Sequence, residues 1–143
     1  MFMLNFDILK SAGDSPRTTR SMSFIDETMP TMDELKGTRI ALFGSSANPP
    51  TLGHFTIVKY LSSLEDTFDE IWIMPVYHHI FNKSRKFESY SDRLQMCKCS
   101  FEILSTCNCN VRVVPVERIV FESNESFRQG KARAGTVDIL FYL

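Results

Sequence analysis

The chain has 143 residues, of which 43% are hydrophobic and 12 are phenylalanine, enough for one domain with a real core and too apolar for wholesale disorder. A net charge of −1 and a pI near 6.3 exert no broad pull on a nucleic-acid polymer or an anionic membrane. A small phosphorylated ligand stays compatible with that charge, because it needs only a few well-placed donors, and no apolar run approaches the ~18–20 residues of a transmembrane helix.

Residues 1–36 show little periodicity and contain Gly13, Pro16 and Pro30. They read as a flexible N-terminal tail ahead of a domain over 37–143. Arg17 and Arg20 among Ser and Thr have the composition of an organelle transit peptide, but Asp7 and Asp14 argue against one. With no secretory apolar core either, the expected location is the cytoplasm.

"TRIALF" (38–43) is a short, nearly continuous apolar run, as expected of a strand covered on both faces. Beyond a loop, Phe55, Val58 and Leu61, with Ile57, Tyr60 and Leu64, are spaced for a helix buried along one wide face. "DEIWIMPV" (69–76) is a second strand, followed by the polar, basic loop "YHHIFNKSRKFE". "SYSD" (89–92) has the Ser-x-x-acid form of a capping box, and Tyr90, Leu94, Cys97, Phe101 and Leu104 then step along one helical face. "VRVVPV" (111–116) reads as a third strand, and "GTVDILFYL", after a polar loop, as the opening of another helix. This alternation predicts an α/β fold: a Rossmann-like parallel sheet built from right-handed crossovers, with helices on both faces.

The 4 cysteines form two C-x-C pairs, at 97 and 99 and at 107 and 109. Positions two apart on a helix point to nearly opposite sides, so Cys97 and Cys99 cannot share a metal. Reduced thiols are expected, with Cys97 in the core and no metal held by the protein.

Ligands of open parallel sheets bind beyond the carboxyl ends of the strands. There the sequence runs "GSSANPPTLGH" (44–54), which is neither a Walker A loop nor a G-x-G-x-x-G fingerprint. It still has the parts of a phosphate site. Gly44 permits close backbone approach, Ser45 and Ser46 offer small hydroxyls and amides, and Pro49 and Pro50 stiffen the loop. The following helix points unpaired N–H groups and a positive dipole end at the same place. His54 adds an imidazole donor in the first turn, beside Gly53, although glycine weakens a helix there. Thr51 is also a plain N-cap candidate, and an isolated His54 has an ordinary structural reading.

The stretch resembles the nucleotide-binding signature of the nucleotidyltransferase superfamily, whose (H/T)xGH motif is matched by Thr51-Leu52-Gly53-His54. "IWIMPV" with a basic loop containing Lys83, then "SYSDRLQM", resembles nicotinate and nicotinamide mononucleotide adenylyltransferases. "TVDIL" (136–140) is similar to their T-x-D-T-L segment, with Ile139 in place of the second threonine. The resemblance covers about 38–143. It implies transfer of AMP from ATP to a pyridine mononucleotide, giving a dinucleotide and pyrophosphate, with Mg²⁺ bound alongside ATP.

By resemblance, His54 and Thr51 contact the ATP phosphates, and His54 is the catalytic residue that stabilises the transition state. Gly44, Ser45, Ser46 and Gly53 line the phosphate loop, and Lys83 is a phosphate-side cation. Arg93 is a cation on the substrate side, and Thr136 and Asp138 lie near the pyridine nucleotide. A transferase acting on pantetheine phosphate or using CTP shares the same T-x-G-H site, and a non-catalytic nucleotide-binding module is the alternative of another class.

The family's second ATP-binding motif, of I-S-S-T-x-x-R type, is absent from this sequence, which stops at Leu143. The reading is therefore the family's N-terminal half, with the sheet ending after the third strand and its following helix. In the family's usual strand order 3-2-1-4-5, this leaves the first strand's edge open. The N-terminal segment or a second copy in a homo-oligomer would cover it.

Overall fold

In β2 (Arg39–Ser45), Ile40 and Leu42 enter one buried cluster, whereas Ala41 and Phe43 pack in another. Alternate side chains point to opposite faces, so a strand buried on both sides reads as a continuous apolar run. β3 (Glu70–Pro75) repeats the arrangement: Ile71 and Ile73 join Ala41, while Trp72 and Met74 join Ile40 and Leu42. The two strands are parallel with Ala41 opposite Ile71 and Leu42 opposite Trp72, and β3 pairs in parallel with β4 (Asn110–Val113). The computed structural model describes residues 2–5, 29–30, 33–64, 66–78, 87–130 and 135–143.

α1 (Leu52–Ser62) and α2 (Tyr90–Phe101) cover the Ala41/Ile71/Val111 face through Val58, Leu61, Leu94, Cys97 and Phe101. α3 (Val116–Ser123), α4 (Glu125–Arg128) and α5 (Thr136–Tyr142) supply Val116, Val120, Phe127 and Ile139 to the opposite face around Trp72. Two crossovers of the same hand, each stepping to the next strand in one direction, belong on one face. Trp72 and Phe101 are the largest fully buried side chains, one per face, and truncating either to Ala costs ~3–5 kcal/mol.

Four expectations change. The region assigned to a tail contributes β1 (Phe2–Asn5), which pairs antiparallel with β2, Phe2 opposite Leu42 and Asn5 opposite Arg39. The first parallel strand's edge is thus covered by the N-terminal segment. The third parallel strand ends at Val113; Val116 already belongs to α3, and the expected polar loop holds α3 and α4. Pro115 lacks an N–H to extend the ladder and stands as the N-cap of α3. The buried face of α1 is narrower than its spacing suggests, with Ile57 44% and Tyr60 63% exposed.

At the N-terminal rim of the sheet, Arg39 grips Asp69 with Nε and Nη2 at 3.1 and 3.2 Å, and Glu70 accepts from Trp72 Nε1 and pairs with Arg112. Those polar groups are engaged with one another, which leaves the C-terminal rim for a ligand. Among the described residues no helix is long and apolar enough to cross a membrane.

Candidate functional site

β2 ends at Ser45, and six residues later Thr51 caps α1. Thr51 has extended backbone angles and its Oγ1 accepts, at 3.5 Å, from the His54 N–H. In return the Thr51 N–H donates to His54 Nδ1 at 3.0 Å. This is a capping box with histidine where Glu or Gln ordinarily stands. The N–H donor obliges Nδ1 to be an acceptor, so the neutral ring carries its proton on Nε2. That Nε2–H reaches Ser45 Oγ at 3.0 Å, which also accepts from the Ala47 N–H at 3.2 Å. Phe43 holds the ring edge-on, centroids 6.1 Å apart.

Ser45, Thr51 and His54 therefore form one cluster across the β2–α1 junction, with Gly53 inside the capped turn. The first turn of α1 contains no acidic residue, so nothing in it neutralises the positive end of the helix. Gly44 is exposed, and a side chain there would meet nothing within 4 Å, which leaves open space above the strand end. At Gly53 a methyl would meet only Thr51 Oγ1 at 3.7 Å, so no packing constraint of the protein itself demands glycine.

Arg93, expected as a substrate-side cation, is held within the fold by the segments around it. It is 4% exposed, and three backbone carbonyls accept from it: Ser46 at 2.9 Å and Val76 at 2.7 Å from Nη1, Glu88 at 3.2 Å from Nε. Phe87 and Tyr90 flank the guanidinium with ring centroids 5.5 and 5.6 Å from its carbon. Burial lowers its pKa from the usual arginine value. Ser46 is thus tied to the site through its backbone carbonyl. Asn48 Oδ1 adds a second tie from the loop, accepting the Glu88 N–H at 3.0 Å.

Glu117, not anticipated from the sequence, accepts the Tyr77 N–H at 3.0 Å just beyond β3. Burial raises its carboxyl pKa to about 7, against the opposing pull of that hydrogen bond and of the Arg93 charge. Tyr77 also donates its hydroxyl to Glu122 and packs edge-on to Tyr90 and Phe121. The available signal was the Val116/Val120 spacing, which places Glu117 in a first helical turn once the stretch is read as a helix.

Asp138 is engaged at its own helix, accepting the Gly135 N–H at 2.7 Å on the face opposite α1. Thr136 is the first residue of α5. Lys83 lies outside the described residues. Cys97 is buried, its thiol pushed up to about 12 by burial, whereas Cys99 on the same helix is exposed. Among the described residues no three of His, Cys, Asp and Glu converge to hold a metal ion.

No family model matches the chain. Among curated proteins it is 39% identical over 59 residues to a probable nicotinate-nucleotide adenylyltransferase of Myxococcus xanthus, covering 41% of this chain and 30% of that protein. It is 32% identical over 68 residues to a protein of the same description from Anaeromyxobacter dehalogenans strain 2CP-C, covering 48% of this chain and 35% of that protein. The chain spans about a third of the length of the curated relatives it matches.

Proposed function

We propose that this chain, related to the nicotinate/nicotinamide mononucleotide adenylyltransferase family over that family's N-terminal portion, binds the phosphates of ATP at the β2–α1 junction. On this reading it serves transfer of AMP to a pyridine mononucleotide. One observation carries the reading: His54 is locked by Thr51 into the tautomer that donates from Nε2, at a helix N-terminus with no acid of its own.

A neutral donor at that spot stabilises an anion without asking for a proton transfer. In the proposed reaction, a phosphate oxygen of the mononucleotide attacks the α-phosphorus of ATP in line, the α–β bridging bond breaks, and pyrophosphate leaves. No protein nucleophile is needed; orientation and charge stabilisation carry the step. The first-turn amides of α1 and the His54 Nε2–H provide donors for the charge that develops on the α-phosphate oxygens. Reaching them requires the Nε2–H to leave Ser45 Oγ, whose loss the ligand oxygen replaces. Gly44 leaves room for the phosphates, and Gly53 keeps the turn bare. Magnesium would arrive as part of the nucleotide substrate, held chiefly by its phosphates.

Nicotinate mononucleotide is the favoured acceptor because the relatives' names specify nicotinate. The test is calorimetric titration with MgATP, followed by pyrophosphate release in the presence of nicotinate or nicotinamide mononucleotide. Saturable ATP binding and release stimulated by the nicotinate substrate are expected. Binding without turnover assigns the chain to a nucleotide-binding module, and absence of binding overturns the proposal.

A further inference from the structure

The peptide unit between Ser46 and Ala47 is held at both ends. Its carbonyl accepts from Arg93 Nη1 at 2.9 Å, and its N–H donates to Ser45 Oγ at 3.2 Å, the same oxygen that receives His54 Nε2 at 3.0 Å. Ala47 has φ of +43°, in the left-handed region that a residue with a Cβ disfavours, and it is buried. The chain would not choose this orientation locally, so something outside the loop has to enforce it. Arg93 is placed to do so. It is buried, flanked by Phe87 and Tyr90, and also bonded to the carbonyls of Val76 and Glu88.

We propose that Arg93 is a positioning residue for His54: it holds the Ser46–Ala47 peptide plane, which orients the Ser45 hydroxyl, which in turn aims the imidazole. A guanidinium suits this role because its fixed fork serves carbonyls just beyond β2 and β3 and just ahead of α2 at once, whereas an ammonium is a single point donor. The proposal rests on the β2–α1 loop being the phosphate site, but its first tests need no nucleotide.

In the ligand-free wild-type protein, the Ala47 amide should resist hydrogen exchange, and the ¹⁵N signals of His54 should report the Nε2–H tautomer. In Arg93→Lys, exchange should accelerate at residues 45–48, and the tautomer signature should weaken, while exchange at the distant Asp69–Ile71 segment stays as in wild type. MgATP affinity should fall about tenfold, the scale of one lost charge-assisted bond. In a Ser45→Ala background, which cuts the relay, the same Arg93→Lys change should cost less than about twofold.

An Ala47 amide that exchanges at the unprotected rate in wild type overturns the proposal even if Arg93→Lys fails to fold. So does an affinity loss in Arg93→Lys with the His54 signature and loop protection intact, which would make Arg93 a direct phosphate ligand. Equal losses with and without Ser45 also overturn it. If wild type binds no ATP, the functional reading falls, while the exchange and tautomer measurements still decide the role of Arg93.

Discussion

The two junctions that leave the parallel strands for α1 and α2 both carry a hydroxyl N-cap bonded to the third helical residue, with opposite electrostatics. At α2, Ser89 Oγ accepts the Asp92 N–H at 3.1 Å and donates to the Asp92 carboxylate at 2.6 Å. The acid at the third helical position satisfies the cap and neutralises the helix end by its own charge. At α1 the third position is His54, which makes the reciprocal bond but brings no negative charge. Beyond β3, Glu117 and Glu122 add further acids around Tyr77, whereas "SSANPPTLGH" (45–54) contains none. One junction is neutralised by its own acids; the other leaves the positive end of its helix without an acid in its first turn.

The largest expected effect lies on the acidic side. The carboxyl of Glu117 rises from 4.5 to about 7 on folding, so the neutral form is the one the fold prefers. Its stabilisation is complete below the unfolded value and is lost as pH rises through the folded value, a swing of about 3 kcal/mol. Glu117→Gln keeps an acceptor for the Tyr77 N–H and should remove this swing. Urea melts from pH 4.5 to 8 should show the variant flatter with pH and more stable than wild type above pH 7; parallel curves would show Glu117 to be solvated.

Making α1 resemble α2 is the next test. His54→Glu completes an ordinary capping box and adds charge that suits the dipole, so stability should hold or rise by ~0.5 kcal/mol. Calorimetry should show MgATP affinity falling by about 100-fold, roughly 2.7 kcal/mol. Retained affinity would show that the histidine and the bare helix end are not the anion site. The converse change, Ser89→Ala, should cost about 1 kcal/mol in thermal melts and leave MgATP affinity unaltered. Gly53→Ala should raise stability by roughly 0.5–1 kcal/mol, because the methyl meets nothing closer than Thr51 Oγ1 at 3.7 Å, and should weaken MgATP binding at the same time. A stabilised variant that binds as well as wild type would remove the reason given for glycine at that position.

The Thr51–His54 turn and the three parallel strands were legible in the sequence because caps act over three or four residues and buried strands form unbroken apolar runs. α3 was missed where Pro115 interrupts "VRVVPVERIV", since the apolar run continues across the strand end into the helix. The contacts of Arg93 were illegible for a different reason. An arginine in a first helical turn looks like an exposed cation, but its carbonyl partners on Ser46 and Val76 lie 47 and 17 residues away.

By itself the sequence determined the repeated strand–helix order, the uncharged loop at the end of β2 and the capped turn that presents His54, because each is encoded within a turn or a strand. Only the tertiary structure decided that the N-terminal segment closes the edge of β2, that a half-buried Glu117 receives the Tyr77 N–H, and that the Ser46–Ala47 peptide is bonded to both Arg93 and Ser45. Those contacts join segments remote along the chain, and burial rather than residue type selects the partner each polar group must find.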